Sequence, residues 1–331
     1  MTATAGSRYK LIVARGILSD VDVETEYLAG READASLATL HTADEVERET
    51  ADADAVIVTV EPLPRELIER FGPRVRIIGR AGIGLDAIDL EAARENGIAV
   101  FHTPDYATEE VATHAVGLIL ALNRRLVAGD TVARQDWRGW AQLKPVRPLS
   151  ELTVGIVGLG RIGRAVAERV RCFAGQIVGF DPYQAEAIRG IRTTASLDEL
   201  LEACDVLTLH IPLTDETREL IGARELLLLR PGALVVNVAR GALIDQAALA
   251  AALEQGRLGG AGLDVLAVEP PPADDPILSA PNVILSPHFA WYSAASNRRM
   301  REMAIDGILD YLEGRDVTVG RLAVRPSGAS A

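Results

Sequence analysis

Three ionisable side chains in the second half of the sequence lie at or just after the ends of apolar segments. They are Arg240, Glu269 and His288. Their separations, 29 residues (269 − 240) and 19 residues (288 − 269), are too long for a local helical network, so only the fold can bring them together. A carboxylate beside an imidazole favours the protonated ring and fixes its orientation, and an arginine binds carboxylates and polarised carbonyls. The set predicts proton transfer to an anionic carbonyl compound.

Each of the three residues has a simpler interpretation when it is considered alone. A single Arg or Glu is usually a solvated charge, and a single His is more often structural than catalytic. The catalytic interpretation depends on their shared position, because open α/β sheets bind ligands outside the carboxyl ends of their strands.

A glycine-rich loop indicates the cofactor. The segment Gly158-Leu159-Gly160-Arg161-Ile162-Gly163 follows an apolar strand and opens a helical segment. The first glycine permits a tight turn, the second lets the backbone approach a pyrophosphate, and the third lets the helix pack closely on the strand. The phosphates would bind at the helix N-terminus, where Arg161 and Ile162 begin the first turn.

An acidic residue supports a dinucleotide site. Asp181 ends the next predicted strand, 18 residues after Gly163, close to the spacing of a carboxylate that binds the ribose hydroxyls. A carboxylate at this point repels the extra phosphate of NADP, and Pro182-Tyr183 supplies no cation to hold it. The sequence therefore favours NAD, and the simpler alternative is an exposed acid at a strand end.

Short Val- and Ile-rich runs alternate with helical segments, which predicts an α/β fold of two Rossmann-like, open parallel-sheet domains with an active-site cleft between them. The predicted elements of the first hundred residues are strands at Lys10–Ala14, Asp54–Val60, Val75–Gly79 and Ile98–Phe101, and helices near Ala43–Glu49, Pro64–Phe71 and Leu85–Asn96.

A long apolar helix is predicted from roughly Thr108 to Leu126, ending at Asn123-Arg124-Arg125 and buried between domains or subunits. A capping box is predicted at Ser196 and Glu199. The strands of the second series are predicted at Thr153–Val157, Gln176–Phe180, Val206–His210, Ala233–Val238, Gly260–Val265 and Val283–Leu285.

The last helix, from Ser293 to Glu313, follows the final strand of the second series and is free to return to the first domain. This predicts a discontinuous substrate-binding domain, residues 1–104 plus 293–331, around an NAD-binding domain, residues 105–292. Residues 1–8 and the tail from Arg325 to Ala331 are small and polar, and we expect both to be unstructured.

Composition argues against several other classes. The chain has 331 residues and a formal net charge of −13, without a basic run, so nucleic acid and anionic membranes are not expected partners. The two cysteines, Cys172 and Cys204, lack the close spacing of metal ligands, and no metal is expected. The longest apolar run, Ala115 to Leu122, covers eight residues where a membrane span needs about 20. A cytoplasmic location is expected.

The chain resembles the D-isomer-specific 2-hydroxyacid dehydrogenases over nearly its whole length. The matching stretches are Gly79 to Asp86, the Gly158 to Gly163 loop with Asp181, Val235 to Asp245, Gly262 to Pro271, and Ser286 to Ser293.

The resemblance implies hydride transfer between NAD(H) and C2 of a 2-keto acid. It implies that Arg240 binds the carboxylate and polarises the carbonyl, and that His288, paired with Glu269, protonates the keto oxygen. It also implies a homodimer formed through the segment after Pro104.

Further residue roles follow from the same resemblance. Backbone N–H groups of Ala81, Gly82, Ile83 and the following Gly84 would hold the substrate carboxylate. Asp264 would orient the nicotinamide amide. The remaining residues assigned to the cofactor site are His210, Pro212, Thr217, Val238 and Ala239.

The substrate side chain is left open by two residues with opposite implications. Within the family, the stretch Ser286 to Ser293 looks most like the C-terminal-binding-protein branch, in which Trp291 would contact an apolar or thioether-bearing side chain; the alternative for this Trp is core packing. Arg80 could instead bind a distal phosphate or carboxylate, or the carboxylate of the keto acid itself.

Two other functions share these residues. The chain could be an NAD(H)-sensing, corepressor-like binding protein, or a reductase of an unusual 2-keto acid, phosphorylated or a phosphonate, as in phosphoglycerate dehydrogenase. Trp137 and Trp140 could reach the cleft of a partner subunit or cover the linker. His102 and His114 could both border the cleft between the domains, but His114 lies in an apolar helix and is predicted to be a packed helix residue.

Overall fold

The structure, a computed structural model, describes residues 9–143, 145–184 and 186–326. Most of the two predicted unstructured ends, residues 1–8 and 327–331, lies outside the described residues. The chain forms two compact units: Met1–Ala107 with Ser293–Ala331, and Thr108–Tyr292. The division falls at 107/108 and 292/293, compared with 104/105 and 292/293 in the prediction.

The first unit begins with five strands and four helices. In chain order these are β1 (Tyr9–Ala14), α1 (Asp22–Leu28), β2 (Ala33–Ala38), α2 (Ala43–Thr50), β3 (Ala55–Val58), α3 (Arg65–Ile68), β4 (Ile77–Arg80), α4 (Leu90–Glu95) and β5 (Ala99–His102).

The second unit carries the next seven strands and six helices. They are α5 (Thr108–Asn123), α6 (Leu126–Gln135), β6 (Thr153–Val157), α7 (Arg161–Val170), β7 (Gln176–Phe180), β8 (Arg192–Thr193), α8 (Leu197–Ala203), β9 (Val206–Leu209), α9 (Ala223–Leu228), β10 (Leu234–Asn237), α10 (Gln246–Glu254), β11 (Gly260–Leu263) and β12 (Val283–Leu285).

The chain then returns to the first unit through α11 (Ala294–Leu312) and β13 (Arg321–Val324). The sheet of this unit has the order β13-β5-β4-β3-β1-β2, in which β13 pairs antiparallel with β5 and the other pairs are parallel. Strand β3 is buried along its whole length, as expected for a central parallel strand covered on both faces.

The second sheet is wholly parallel, with the order β12-β11-β10-β9-β6-β7-β8. Its carboxyl edge therefore collects the residues that follow β6, β7, β10, β11 and β12. These are the glycine-rich loop and the segments that begin at Asp181, Val238, Asp264 and Ser286.

Several predicted elements were wrong in detail. The predicted helix from Thr108 to Leu126 ends at Asn123, and α6 starts after Arg125, which adopts a left-handed φ of 51°. Helix α4 starts at Leu90 and not at Leu85, because the Asp89 side chain accepts the Ala92 N–H (2.8 Å) and caps the helix there.

The capping box at Ser196 is only half formed. The Ser196 side chain accepts the Glu199 N–H (3.2 Å), but the Glu199 carboxylate accepts the N–H of Ala195 and not that of Ser196.

Five of the helices and strands described here were missed: α1, β2, α6, β8 and β13. Strand β2 reads Ala-Asp-Ala-Ser-Leu-Ala and lies at a sheet edge, so it lacks the Val and Ile run by which the other strands were recognised.

Helix α5 packs on α7, β10 and β11 within the second unit. No single helix in the described residues is long and apolar enough to cross a membrane. Helices α5 and α6 together pass such a test by length and composition, with a bend of 48° at their junction.

Candidate active site

Glu269 and His288 form a direct pair at the carboxyl edge of the second sheet. His288 Nδ1 lies 2.6 Å from Glu269 Oε2, and the other oxygen, Oε1, accepts the Leu266 N–H (2.9 Å). Both side chains are partly exposed, at 39% and 36%. Burial acts to raise the pKa of Glu269, but hydrogen bonds from His288 and Leu266 and the charge of Arg240 outweigh it, so this pKa lies below its usual value.

The loop that carries His288 is held by one buried carboxylate. Asp264, only 2% exposed, accepts the Ser286 hydroxyl (2.6 Å) and the N–H groups of Phe289 (3.1 Å) and Ala290 (2.9 Å). The His288 N–H donates to the Asp264 backbone carbonyl (2.8 Å). His288 itself adopts a left-handed φ of 53°, which is uncommon outside glycine, and these bonds fix that conformation.

Arg240 lies just after β10, in a turn organised by a buried amide. Asn237 is 1% exposed; its Oδ1 accepts the Ala239 N–H (3.0 Å) and its Nδ2 donates to the Arg240 carbonyl (2.8 Å). The Arg240 guanidinium donates to the Ala239 carbonyl (2.7 Å). Val238, which precedes Ala239 in this segment, is buried. The guanidinium is close enough to Glu269 to contribute to lowering its pKa.

The glycine-rich loop has the steric properties that a pyrophosphate site requires. Gly158 has φ +90°, and a Cβ there would lie 2.5 Å from the His210 carbonyl oxygen. A Cβ at Gly163 would lie 1.9 Å from the Gly158 carbonyl oxygen. A Cβ at Gly160 would meet nothing within 4 Å, so this position faces open space.

Gly160 is also the N-cap of α7, and no side chain caps the helix there. The N–H groups of the first helical turn, such as that of Ile162, point toward the N-terminal end of the helix, where an anion can accept their hydrogen bonds. These residues fit a dinucleotide phosphate.

Asp181 lies beside this loop, directly after β7. Its Oδ2 accepts the Leu159 N–H and its Oδ1 accepts the Tyr183 N–H, both at 2.9 Å. The carboxylate is thus fixed next to the glycine loop, in a position to accept hydrogen bonds from ribose hydroxyls.

The segment after β9 carries three more of the predicted cofactor residues. Burial lowers the pKa of His210 to about 3, so its ring is neutral near pH 7; Nε2 bonds with Thr208 Oγ1 (2.9 Å). The Nδ1 of His210 is buried and has no hydrogen-bond partner in the described residues. Thr217 Oγ1 donates to the Pro212 carbonyl (2.8 Å) and closes the loop.

In the first unit, the loop after β4 presents a different kind of group. The Ala81 N–H donates to the Val58 carbonyl (2.8 Å), and the Gly82 N–H donates to Thr103 Oγ1 (2.8 Å). The N–H groups of Ile83 and Gly84 make no hydrogen bond in the described part of the chain. Of the four residues predicted to hold a carboxylate, these two have N–H groups still available for one.

A comparison with models of protein families identifies the family of this chain. Residues 116–290, more than half of the chain, match the model described as the D-isomer specific 2-hydroxyacid dehydrogenase, NAD binding domain. The chain belongs to this family. It is an oxidoreductase of the class that acts on CH–OH groups, as the resemblance predicted.

Curated relatives agree with this placement. The dehydrogenase is 38% identical to the glyoxylate reductase of Korarchaeum cryptofilum over 270 residues, which is 80% of this chain and 81% of that one. It is 39% identical to the D-3-phosphoglycerate dehydrogenase of Methanocaldococcus jannaschii over 257 residues, 76% of this chain. The match spans only 48% of the length of that relative.

Solved structures share the two-unit fold. The D-lactate dehydrogenase of Aquifex aeolicus, complexed with NAD and lactic acid, matches with a TM-score of 0.84 and 31% identity, covering 96% of this chain and 100% of that one. A glyoxylate/hydroxypyruvate reductase of Sinorhizobium meliloti matches with a TM-score of 0.83 and 32% identity, covering 97% and 99%; its description calls it NADPH-dependent.

In the structure of this dehydrogenase, the two residues predicted to contact the substrate side chain bind the backbone of their own loops. Arg80 donates to carbonyls of its own loop, through Nη1 to Ala81 and through Nε to Gly84 (3.1 Å). Trp291 Nε1 donates to the His288 carbonyl (3.0 Å), and its ring meets Tyr292 edge-on, with 5.5 Å between the ring centroids. Both side chains therefore stabilise the loops of the predicted site.

Sequence reasoning assigned no role to several residues that hold these loops. Asn237 and Ser286 lie inside two of the stretches that resemble the family. His114 was predicted only to pack in its helix, yet its Nε2 lies 2.9 Å from Ser286 Oγ, and its ring meets that of Phe289 edge-on. A small polar residue directly at a strand end was the only available signal, and it is too common to be specific.

Proposed function

We propose that this dehydrogenase is NAD-dependent and interconverts a 2-keto acid and the D-2-hydroxy acid. The observation that carries the proposal is the 2.6 Å contact between Glu269 Oε2 and His288 Nδ1. Because Glu269 occupies Nδ1, the other ring nitrogen, Nε2, is left to exchange a proton with substrate.

The roles of the residues follow from their chemistry. In reduction, His288 Nε2 donates a proton to the keto oxygen as that oxygen becomes a hydroxyl, and Glu269 stabilises the imidazolium beforehand. Arg240 binds the carboxylate and polarises the carbonyl. The N–H groups of Ile83 and Gly84 hold the substrate carboxylate. Bound NADH supplies the hydride that C2 receives.

The remaining residues of the proposed cofactor site bind or orient parts of the dinucleotide. Gly158, Gly160 and Gly163 let the backbone reach the pyrophosphate, Asp181 binds the ribose hydroxyls, and Asp264 orients the nicotinamide amide. The surrounding wall is formed by His210, Pro212, Thr217, Val238 and Ala239.

We propose NAD over NADP because Asp181 would repel a 2′-phosphate. The similar reductase of Sinorhizobium meliloti is described as NADPH-dependent, which makes the cofactor preference a useful test. Comparing kcat/KM for NADH and NADPH, in the wild type and in Asp181→Ala, tests it: the variant should lose its preference, and equal use of both cofactors by the wild type would contradict the assignment.

The assay that tests the function is NADH oxidation with glyoxylate, hydroxypyruvate, phosphohydroxypyruvate, phenylpyruvate and a methylthio-substituted keto acid. Turnover of any of them supports the dehydrogenase. A preference for bulky apolar acids favours Trp291 as a pocket wall and the C-terminal-binding-protein-like branch. If no acid causes NADH oxidation and the protein dimerises only with bound nucleotide, the result would favour the NAD(H)-sensing protein.

We also propose a homodimer through the segment after Pro104. Helix α6 has no buried residue, and Trp137 and Trp140, which follow it, are 86% and 76% exposed. Apolar area of this kind is typical of protein interfaces. Light scattering on a size-exclusion column gives the test: a monomer at micromolar concentration would contradict the proposal.

A further inference from the structure

The loop Ala81–Gly84 is held by its carbonyl groups. Arg80 donates to the carbonyls at both ends, those of Ala81 and Gly84. The two middle carbonyls are bound by residues at and after the end of the neighbouring strand β5. The Thr103 N–H donates to Gly82 O (3.0 Å), and His102 Nδ1 lies 2.9 Å from Ile83 O.

These bonds decide where the N–H groups point. In a trans peptide, the C=O of one residue and the N–H of the next point in opposite directions. Because Thr103 holds the Gly82 carbonyl, the Ile83 N–H faces away from Thr103. Because His102 holds the Ile83 carbonyl, the Gly84 N–H faces away from His102. The N–H groups of Ile83 and Gly84, which have no partner in the described residues, are therefore oriented by the bonds from Thr103 and His102.

The hydrogen bond from His102 has a defined direction. A backbone carbonyl only accepts, so Nδ1 must carry the proton. Burial acts most strongly on the pKa of His102 and lowers it, and the charges of Arg321 and Arg80 act in the same direction, while the Ile83 bond and Asp105 oppose them. The ring is therefore neutral near pH 7, with its hydrogen on the nitrogen that faces Ile83.

We propose that His102 and Arg80 are positioning residues that orient the Ile83 and Gly84 N–H groups toward the substrate carboxylate. The inference rests on the proposed function, in which those N–H groups bind that carboxylate. It assigns Arg80 to the loop, and it excludes the alternative in which this guanidinium binds a distal phosphate of the substrate.

The first test compares two replacements of His102. His102→Leu removes the N–H donor and keeps an apolar side chain, whereas His102→Asn restores an N–H donor near the position of Nδ1. We expect His102→Leu to raise KM for the keto acid roughly five- to tenfold, which is the effect of one hydrogen bond, with KM for NADH unchanged. His102→Asn should stay within about twofold of wild type.

The second test separates the two roles of Arg80. Arg80→Met keeps the aliphatic stem and removes both carbonyl bonds. If Arg80 positions the loop, KM rises by the same factor for phosphohydroxypyruvate and for the unphosphorylated acids. A rise confined to phosphohydroxypyruvate would overturn the inference. This variant also keeps the proposal testable if His102→Leu fails to fold.

A binding measurement separates this inference from the proposed function. Oxamate carries the carboxylate of a 2-keto acid but is not reduced, so its dissociation constant from the NADH-bound protein reports on binding without the chemical step. We expect His102→Leu to weaken oxamate binding by the same factor as it raises KM. Unchanged oxamate binding in His102→Leu and Arg80→Met would overturn the inference, even if wild type is active. Absence of turnover in wild type would overturn the function instead.

Discussion

Two loops of this molecule each follow the carboxyl end of a strand, but their backbone groups are bound in opposite ways. The Ser286–Ala290 loop follows β12 in the second unit, and the Ala81–Gly84 loop follows β4 in the first; both leave the carboxyl end of a parallel strand. The first loop turns N–H groups inward to the Asp264 carboxylate. The second turns its carbonyls inward to donors.

This difference explains what each loop can offer a ligand. With its N–H groups bound by Asp264, the first loop presents a side chain, that of His288. With its carbonyls bound by Arg80, His102 and Thr103, the second presents N–H groups, which suit an anion. The comparison teaches that the type of group placed behind a loop decides which part of the backbone faces outward.

The largest expected effect comes from the side chain of the first loop. His288→Gln should lower kcat about 10²- to 10⁴-fold, because the proton donor is lost. NADH binding should stay near wild type, since the glycine loop is untouched; titration of NADH fluorescence provides this control. A loss of turnover smaller than about tenfold would contradict the role of His288.

Glu269→Gln should change the pH dependence. Reduction needs the imidazolium, and the ionised carboxylate stabilises it, so the variant should lose activity at a lower pH than wild type as the pH rises. The lowered pKa of Glu269 keeps its carboxylate ionised in the wild type at pH values where an ordinary glutamate begins to take up a proton.

The measurement is a profile of kcat/KM against pH, with Glu254→Gln, an exposed Glu in the same unit, as the control. An unshifted profile for Glu269→Gln would show that the two groups are not coupled.

In the Ala81–Gly84 loop, we expect a substitution that adds a side-chain atom at Gly82 to disturb the positions of the N–H groups. Gly82 has φ +148°, and a Cβ there would lie 2.0 Å from Arg80 Nη1. Gly82→Ala should therefore raise KM for the keto acid roughly tenfold and cost about 1–3 kcal/mol of stability in urea unfolding.

Gly97→Ala is the matched control for Gly82→Ala. Gly97 lies in the same unit with φ +70° and open space at its Cβ, so its replacement should cost stability without changing KM. A change in KM of equal size in both variants would mean that general destabilisation causes the effect.

The smallest effect is expected at Ser286. Ser286→Ala removes the contacts of the hydroxyl with Asp264 and with His114 Nε2, but the Asp264 carboxylate keeps the N–H groups of Phe289 and Ala290. We expect a loss of about 1 kcal/mol in stability and a fall in kcat of about threefold or less. Ser279→Ala, which removes an exposed hydroxyl bond to Pro276, should change neither quantity measurably. A large loss of kcat would show that the Asp264 network depends on this hydroxyl.

Much of the fold followed from local patterns. The Val- and Ile-rich strands were found because burial on both faces leaves an unmistakable apolar run. Strands β2 and β13 were missed because edge strands need no such run. The end of α5 at Asn123 was predicted from Asn123-Arg124-Arg125, but helix α6 was missed, because neither Gly nor Pro marks the left-handed Arg125 as a turn into a second helix.

The sequence by itself determined which groups were available. The glycine spacing, the acid 18 residues later, and an Arg, a Glu and a His at strand ends are properties of the chain. The tertiary structure alone decided which of them meet. Glu269 and His288 are 19 residues apart in the chain and meet through the fold. The carbonyl of Ile83 meets His102, which ends the neighbouring strand β5. Hydrogen bonds form between groups that the order of the strands in the sheet brings within about 3 Å. That order cannot be predicted from the spacing of residues within a short segment of the sequence.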